Sequence, residues 1–91
     1  MTAADMFYFD HVVNLVKSER VRQIEKWGIQ HYEFSVWLRI LLEEVGEAVK
    51  KYNDGGTERD RDWYQSWHKE IIHIAAVTVA WLEDISMKVS E

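Results

Sequence analysis

The sequence contains no proline, and glycine occurs only four times in 91 residues, at Gly28, Gly46 and the Gly55-Gly56 pair. Glycine and proline are the residues that most often interrupt regular structure, so few positions require a helix to stop. Apolar residues recur at intervals of three and four positions along three segments, which is the spacing of one helix face. The sequence therefore predicts an all-α chain with three helices in a single domain, residues 1–91.

The predicted ends of the first two helices follow from residues suited to capping. The first helix is predicted from Asp5 to Trp27, with Gly28 as the residue that stops it. Ser35 is the predicted N-cap of the second helix, because its side-chain oxygen can accept a backbone N–H of the first turn. The second helix is predicted to end near Asn53, just before the glycine pair.

The third predicted helix is the longest and the most apolar. Thr57 with Asp60 three residues on resembles a capping box that starts this helix, which is predicted to continue to about Lys88. Between Ile71 and Leu82 the helix is apolar nearly all round, so two helices of the same chain leave part of it bare. We therefore expect self-association of the three-helix chain into a four-helix-bundle-like dimer or tetramer.

Composition and charge exclude several functional classes. The net charge of -5 gives no basic field for a nucleic-acid backbone, so no duplex DNA or RNA partner is expected. The longest apolar run is broken by His73 and Thr78, and the N-terminus lacks a basic region, so neither a membrane span nor an export signal is expected. The absence of cysteine fits a cytoplasmic location and restricts metal ligands to oxygen and imidazole groups.

Three glutamates lie on or beside apolar helix faces. On a helical wheel Glu44 falls in the middle of the apolar arc that contains Trp37, and Glu47 falls at the edge of that arc. A buried carboxylate without a partner either raises its pKa or binds a cation, so Glu44 requires a partner. Glu70 shares an apolar face of the third helix with His73, one turn on.

Two facing helices could thus present these side chains to a divalent metal, Mg²⁺ or Mn²⁺, with iron an option because of the imidazole. The alternative is that the glutamates are solvated or pair with basic side chains, namely Arg20, Lys51 or Lys69.

Two motifs carry a family resemblance. The second helix contains Leu42–Ala48 (LEEVGEA), and the third contains Glu70–His73 (EIIH), with 22 residues between Glu47 and Glu70. This pair resembles the E-x-x-E and E-x-x-D signature of the MazG-like all-α nucleoside triphosphate pyrophosphohydrolases. The segment Glu19–Gly28 (ERVRQIEKWG) looks like the short members of that family found in phage and mobile elements.

The resemblance implies Mg²⁺-dependent hydrolysis of a nucleoside triphosphate, in particular a deoxynucleotide, to the monophosphate and pyrophosphate. It implies that Glu44, Glu47 and Glu70 bind metal, and that Glu43 and Glu44 act catalytically, with Glu43 binding metal or orienting the attacking water. The fourth ligand, aspartate in the family, is His73 here, and a neutral imidazole is a poorer ligand for Mg²⁺. Three outcomes are left open. The protein retains activity with Mn²⁺ or another metal preferred, it is non-catalytic but still binds nucleotide, or it binds a different metal altogether.

Residues near these motifs are candidates for contacting the rest of the substrate. The predicted phosphate-binding residues are the basic side chains Lys51, Lys50 and Arg20, which a solvated helix face explains equally well. The predicted base-binding residues are flat rings and an amide that could read a base edge, namely Trp27, His31, Trp37 and Gln23, with Tyr32 close by. For the rings, the alternative is packing in the protein core.

Two other functions are also compatible with the sequence. Glu-x-x-His is the ligand pair of di-iron and di-manganese carboxylate helical bundles, and a dimer would supply this pair twice. The chain could also be a non-catalytic nucleotide-binding or interaction module. In that case Glu44 and Glu70 would pair with lysine or arginine rather than with a metal.

Overall fold

The computed structural model describes residues 1–55 and 58–90, and over these residues the chain forms three α-helices. Helix α1 spans Ala3–Trp27, α2 spans Phe34–Asp54 and α3 spans Arg61–Ser90. The predicted all-α class and the predicted number of helices are therefore confirmed for the described residues. No helix in that part of the chain is both long enough and apolar enough to cross a bilayer.

Reciprocal capping explains where α1 begins. The hydroxyl of Thr2 accepts the backbone N–H of Asp5 at 3.3 Å, and the carboxylate of Asp5 accepts the backbone N–H of Thr2 at 2.9 Å. This capping box starts the helix at Ala3, two residues before the predicted start. The predicted stop is confirmed, because Gly28 has a φ of 75° and its N–H donates to the carbonyl of Ile24 at 2.7 Å.

The start of α2 differs from the predicted N-cap. The helix begins at Phe34 with Glu33 as its N-cap, and no side chain forms a capping hydrogen bond there. The backbone N–H of Trp37 donates to the carbonyl of Glu33 at 3.2 Å, so Ser35 lies inside the first turn and its predicted role as N-cap is wrong. The ring of Phe34 packs edge-on against Trp81 of α3 at a centroid distance of 5.0 Å, a tertiary contact that favours the earlier start.

The start of α3 is set by Asp60. Its carboxylate accepts the backbone N–H of Trp63 at 2.9 Å, and the helix begins at Arg61, later than predicted. Thr57, the other half of the predicted capping box, lies outside the described residues. The C-terminal end of α3 extends two residues beyond the predicted Lys88.

Helix α3 is the central element of the fold. Among the described residues it packs against both α1 and α2, whereas α1 and α2 make no close backbone approach to each other. Small side chains allow this central position, since Ala76 and Ala80 are buried together with Val77. From α2, Trp37 and Ala48 complete the buried apolar core. The separation of α1 from α2 leaves space between them on one side of α3.

Many large apolar side chains remain exposed. In the N-terminal half of α1, Phe7, Tyr8 and Phe9 each expose more than half of their surface. In α3, Ile71 and Leu82 are similarly exposed, as expected for a helix that is apolar nearly all round. Exposed apolar surface of this extent is typical of a face that contacts another molecule.

Candidate functional site

A cavity of about 220 Å³ lies in the space between α1 and α2, over α3. All three helices and the connection between α1 and α2 contribute to its lining. The lining residues are Arg22, Gln23, Trp27, Gln30, Tyr32, Trp37, Ile40, Glu44, His73, Val77 and Ala80. Three of the four predicted base-binding residues and two of the predicted metal ligands therefore lie around one cavity.

The end of the cavity nearest the α1–α2 connection is aromatic, and we call Trp27, Tyr32 and Trp37 its aromatic end. Trp37 is 3% exposed and its ring contacts the ring of Tyr32 at a centroid distance of 5.1 Å, whereas Trp27 is 52% exposed. The amide of Gln30 donates to the hydroxyl of Tyr32 at 2.8 Å. Rings and amides in this arrangement provide a surface for stacking together with hydrogen-bonding groups for a planar ligand.

A buried carboxylate on α3 holds the aromatic end in place. Asp84 accepts hydrogen bonds from Nε1 of Trp37 at 2.7 Å, Nδ1 of His31 at 2.8 Å, the backbone N–H of Tyr32 at 3.1 Å and Nζ of Lys88 at 3.0 Å. These donors, with Trp37 and then His31 as the strongest, hold the pKa of Asp84 well below its usual range. His31 is thus placed against Asp84 rather than in the cavity lining. The side chain of Asp84 has no solvent exposure.

Asp84 was not identified from the sequence, although one signal pointed to it. It follows Ala80 by four residues and Val77 by seven, so it lies on the buried face of α3. A carboxylate on such a face requires hydrogen-bond donors or a cation, as Glu44 does. Lys88 lies one turn on in α3, but the other three donors come from the α1–α2 connection and from α2, which sequence spacing does not bring near Asp84.

At the other end of the cavity Glu44 is the acidic lining residue, and we define it, together with Glu47 and Glu70 outside the lining, as the acidic cluster. Burial raises the pKa of the Glu44 carboxyl, and the charge of Glu47 raises it further. The charges of Glu70 and Glu43 act in the same direction, while His73 opposes them. The structure therefore brings the four predicted metal ligands into one electrostatic neighbourhood. Glu44 is partly buried there, as its place on the helical wheel predicted.

Two of the predicted ligands are engaged with other side chains. Glu70 accepts a hydrogen bond from Nζ of Lys51 at 3.2 Å, and Nε2 of His73 lies 3.5 Å from Oε1 of Glu19. Among the described residues no three histidine, aspartate or glutamate side chains are already arranged as a metal-binding group. The donor set of three carboxylates and one imidazole fits a divalent cation by its chemistry. Binding would require Glu70 and His73 to exchange their present partners for the metal.

Glu19 is an acidic residue of this region that the sequence did not single out. Its side chain is 8% exposed, and it accepts Nε of Arg22 at 2.7 and 2.8 Å through its two oxygens. The hydrogen bond from Arg22 lowers the pKa of Glu19 against the opposing effect of burial. An i, i+3 pair of this kind is common on solvated helix faces, so only the packing of α1 on α3 identifies it as part of the site.

The predicted phosphate-binding residues are placed in two different regions. Lys51 reaches the acidic cluster through Glu70, and Lys50 is exposed beside it at the C-terminal end of α2. Arg20 is buried instead, with its guanidinium directed at Glu83 of α3, and it is not part of the cavity lining. Only the two lysines are therefore close to the acidic cluster.

Glu43, the predicted catalytic neighbour of Glu44, lies on the exposed side of α2. Its carboxylate is 3.8 Å from Nε of Arg39, one turn earlier in the same helix. Its charge contributes to the raised pKa of Glu44, so it remains near the acidic cluster electrostatically.

No family model matches this chain, and neither a curated protein nor a solved structure is significantly similar to it.

Proposed function

We propose that this protein hydrolyses a nucleoside triphosphate to the monophosphate and pyrophosphate, using a divalent metal bound by Glu44, Glu47, Glu70 and His73. The observation that carries the proposal is the cavity between α1 and α2, which is lined by aromatic rings at one end and by Glu44 of the acidic cluster and His73 at the other. A nucleotide has the same polarity, because its flat base is separated by the sugar from a phosphate chain that associates with metal ions.

The length of the cavity suits this arrangement. Glu44 follows Trp37 by seven residues in α2, which corresponds to about 10 Å along the helix axis. On α3, His73 precedes Ala80 by the same number of residues. A base held at the aromatic end would therefore direct its phosphates along both helices towards the acidic cluster. The apolar side chains between the two ends would exclude water from the sugar.

The acidic cluster supplies what a metal-dependent hydrolysis requires. Burial and neighbouring carboxylates raise the pKa of Glu44, so its ionisation is unfavourable in free energy. A bound cation would offset this unfavourable free energy. A divalent metal would neutralise charge on the phosphate oxygens and lower the pKa of water. We propose that Lys51, once separated from Glu70, and the adjacent Lys50 contact the phosphates, and that Glu43 orients the attacking water.

A second copy of the chain is proposed to cover the exposed apolar surface. Phe7, Phe9, Ile71 and Leu82 are exposed within one chain, and burying them against a second copy would give a four-helix-bundle-like dimer or tetramer. Light scattering of the purified protein would measure the mass directly. A monomer at all concentrations would contradict this part of the proposal.

The function is tested by a panel of canonical and modified nucleoside triphosphates with Mg²⁺ or Mn²⁺. We expect pyrophosphate and monophosphate in equal amounts from at least one deoxynucleotide, and none when a chelator removes the metal. Tryptophan fluorescence should report binding in the same samples, because Trp27 and Trp37 line the cavity. A folded protein that neither binds nor hydrolyses any member of the panel would contradict the proposal.

A non-catalytic nucleotide-binding module is the second candidate function. The ion pair between Lys51 and Glu70 favours it, because it satisfies one carboxylate of the acidic cluster without a metal. Nucleotide binding without pyrophosphate release under every metal condition would support this candidate over the hydrolase.

The substitution His73→Asp separates the role of the imidazole from that of the carboxylates. We expect the Mg²⁺ concentration needed for half-maximal activity to fall about tenfold or more, because an anionic oxygen replaces a neutral nitrogen at a hard cation. The exposed His68, also on α3, provides the matched control His68→Asp, which should leave the Mg²⁺ requirement unchanged. Equal Mg²⁺ requirements for wild type and His73→Asp would show that His73 is not a ligand.

A further inference from the structure

A chain of hydrogen bonds behind the cavity determines how one amide is oriented. Arg20 of α1 is buried, and its Nε and Nη2 donate to the two carboxylate oxygens of Glu83 at 3.1 and 2.6 Å. This two-point pairing fixes the plane of the guanidinium. Its Nη1 then donates to Oε1 of Gln23 at 2.8 Å. Gln23 lines the cavity and Arg20 does not, so the arginine lies behind the amide.

The chemistry of arginine leaves Gln23 one orientation. A carboxamide has an oxygen that accepts and an NH₂ group that donates, whereas a guanidinium only donates. Only the oxygen of Gln23 can therefore face Arg20, and the NH₂ group is left for another partner. Within the described residues no hydrogen bond uses that NH₂ group. Gln23 thus has an unused NH₂ donor, whereas its oxygen is already paired with Arg20.

The second amide at this end of the cavity is not restricted in the same way. Gln30 is paired with the hydroxyl of Tyr32 at 2.8 Å, and a hydroxyl both donates and accepts. Rotation of the Gln30 amide by half a turn preserves that hydrogen bond, so Gln30 can offer either group. Of the two amides, only Gln23 can discriminate between an acceptor and a donor on a ligand.

We propose that Gln23 is a specificity-determining residue that donates to a keto oxygen on the nucleobase edge and disfavours an amino group there. Arg20 and Glu83 are positioning residues that keep the donor directed at the base. The inference rests on the proposed nucleotide site and names its substrate class. This class is nucleotides whose base carries a keto group at the ring position where a related base carries an amino group. A uracil or hypoxanthine base has such a group, and cytosine or adenine is the respective counterpart.

The test uses binding of monophosphates, so that it does not depend on hydrolysis or on metal. Quenching of tryptophan fluorescence by dUMP and by dCMP, and by IMP and AMP, gives two keto-to-amino affinity ratios. We expect wild type to bind the keto member of each pair about tenfold more tightly than the amino member. The NH₂ group of Gln23 forms one hydrogen bond with a keto oxygen, whereas against an amino group two donors face each other and no hydrogen bond forms. Gln23→Glu keeps an acceptor for Arg20 and removes the donor, so we expect the ratio to fall to one or to invert.

Two further variants separate reading of the base from charge and from folding. Gln65→Glu adds the same charge at an exposed position of α3 and should leave both ratios unchanged. Glu83→Gln weakens the support of Arg20 while retaining Gln23, and should lower the ratios without loss of the folded state. Equal ratios in wild type and Gln23→Glu, or no preference in wild type, would overturn the inference and leave the proposed function standing. Absence of binding by every monophosphate and every triphosphate would contradict the proposed function itself.

Discussion

Replacing Glu44 with glutamine should reduce pyrophosphate release by on the order of 100-fold or more, while the melting temperature without metal stays the same or rises. Burial and the charges around Glu44 make its ionised form unfavourable in the folded protein, and a neutral amide of the same shape removes that cost. The amide is also a much weaker metal ligand, so the rise in melting temperature caused by Mn²⁺ in wild type should disappear.

The pH dependence of stability provides a second signature of Glu44. Its pKa in the folded protein is raised above the ordinary value of 4.5, so the folded state binds more protons than the unfolded state between these two values. In the absence of metal, stability should fall as the pH rises through that window in wild type and should not do so in Glu44→Gln.

The control for both measurements is Glu25→Gln, at an exposed position of α1. This variant should retain the activity, the metal-induced shift and the pH profile of wild type. A Glu44→Gln variant with wild-type activity would remove Glu44 from the site. A clear loss of metal-free stability in the same variant would contradict the account of its electrostatics.

Replacing Asp84 with alanine should lower the melting temperature by on the order of 10 °C or more. The substitution would leave Nε1 of Trp37, the backbone N–H of Tyr32 and the side chains of His31 and Lys88 without their shared acceptor. Nε1 of Trp37 is buried, and an unpaired donor in a buried position is among the most destabilising consequences of a single substitution. Circular dichroism during heating measures the effect.

Asp84→Asn and Asp10→Asn form a matched pair for this prediction. Asparagine at position 84 keeps the shape but has one oxygen to accept hydrogen bonds where the carboxylate has two, so its effect should lie between those of wild type and Asp84→Ala. Asp10 is exposed on α1, and its replacement should leave the melting temperature within a degree or two, as is usual for surface positions. Equal melting temperatures for wild type, Asp84→Ala and Asp84→Asn would contradict the role of Asp84.

Acid should reveal the same residue. The pKa of Asp84 is held below its ordinary value of 3.8 in the folded protein, so the unfolded state takes up a proton first as the pH falls. The stability that Asp84 contributes is thus complete well above pH 3.8 and is lost as the pH falls below it towards the folded-state pKa. Melting temperatures of wild type and Asp84→Asn should therefore converge at low pH, and parallel curves would contradict this origin.

Local features of the chain were predictable because each depends on residues close together in sequence. The three helices follow from apolar spacing, and the end of α1 follows from Gly28, whose positive φ suits a residue without a side chain. The partial burial of Glu44 also follows from its position within the helical repeat. The N-cap predicted at Ser35 was wrong, and Phe34, where the helix begins instead, has a tertiary contact with Trp81 that local spacing does not predict.

The sequence alone therefore determined the helices, the break between α1 and α2, and the side of α2 on which Glu44 lies. The tertiary structure decided which side chains share a site, because Asp84 and its donor Trp37 are 47 residues apart and Arg20 and Glu83 are 63 apart. Helical periodicity assigns a residue to a face but does not state which face of another helix it meets. That pairing depends on how α1 and α2 pack on α3, and it is this packing that joins the aromatic end and Glu44 of the acidic cluster around one cavity.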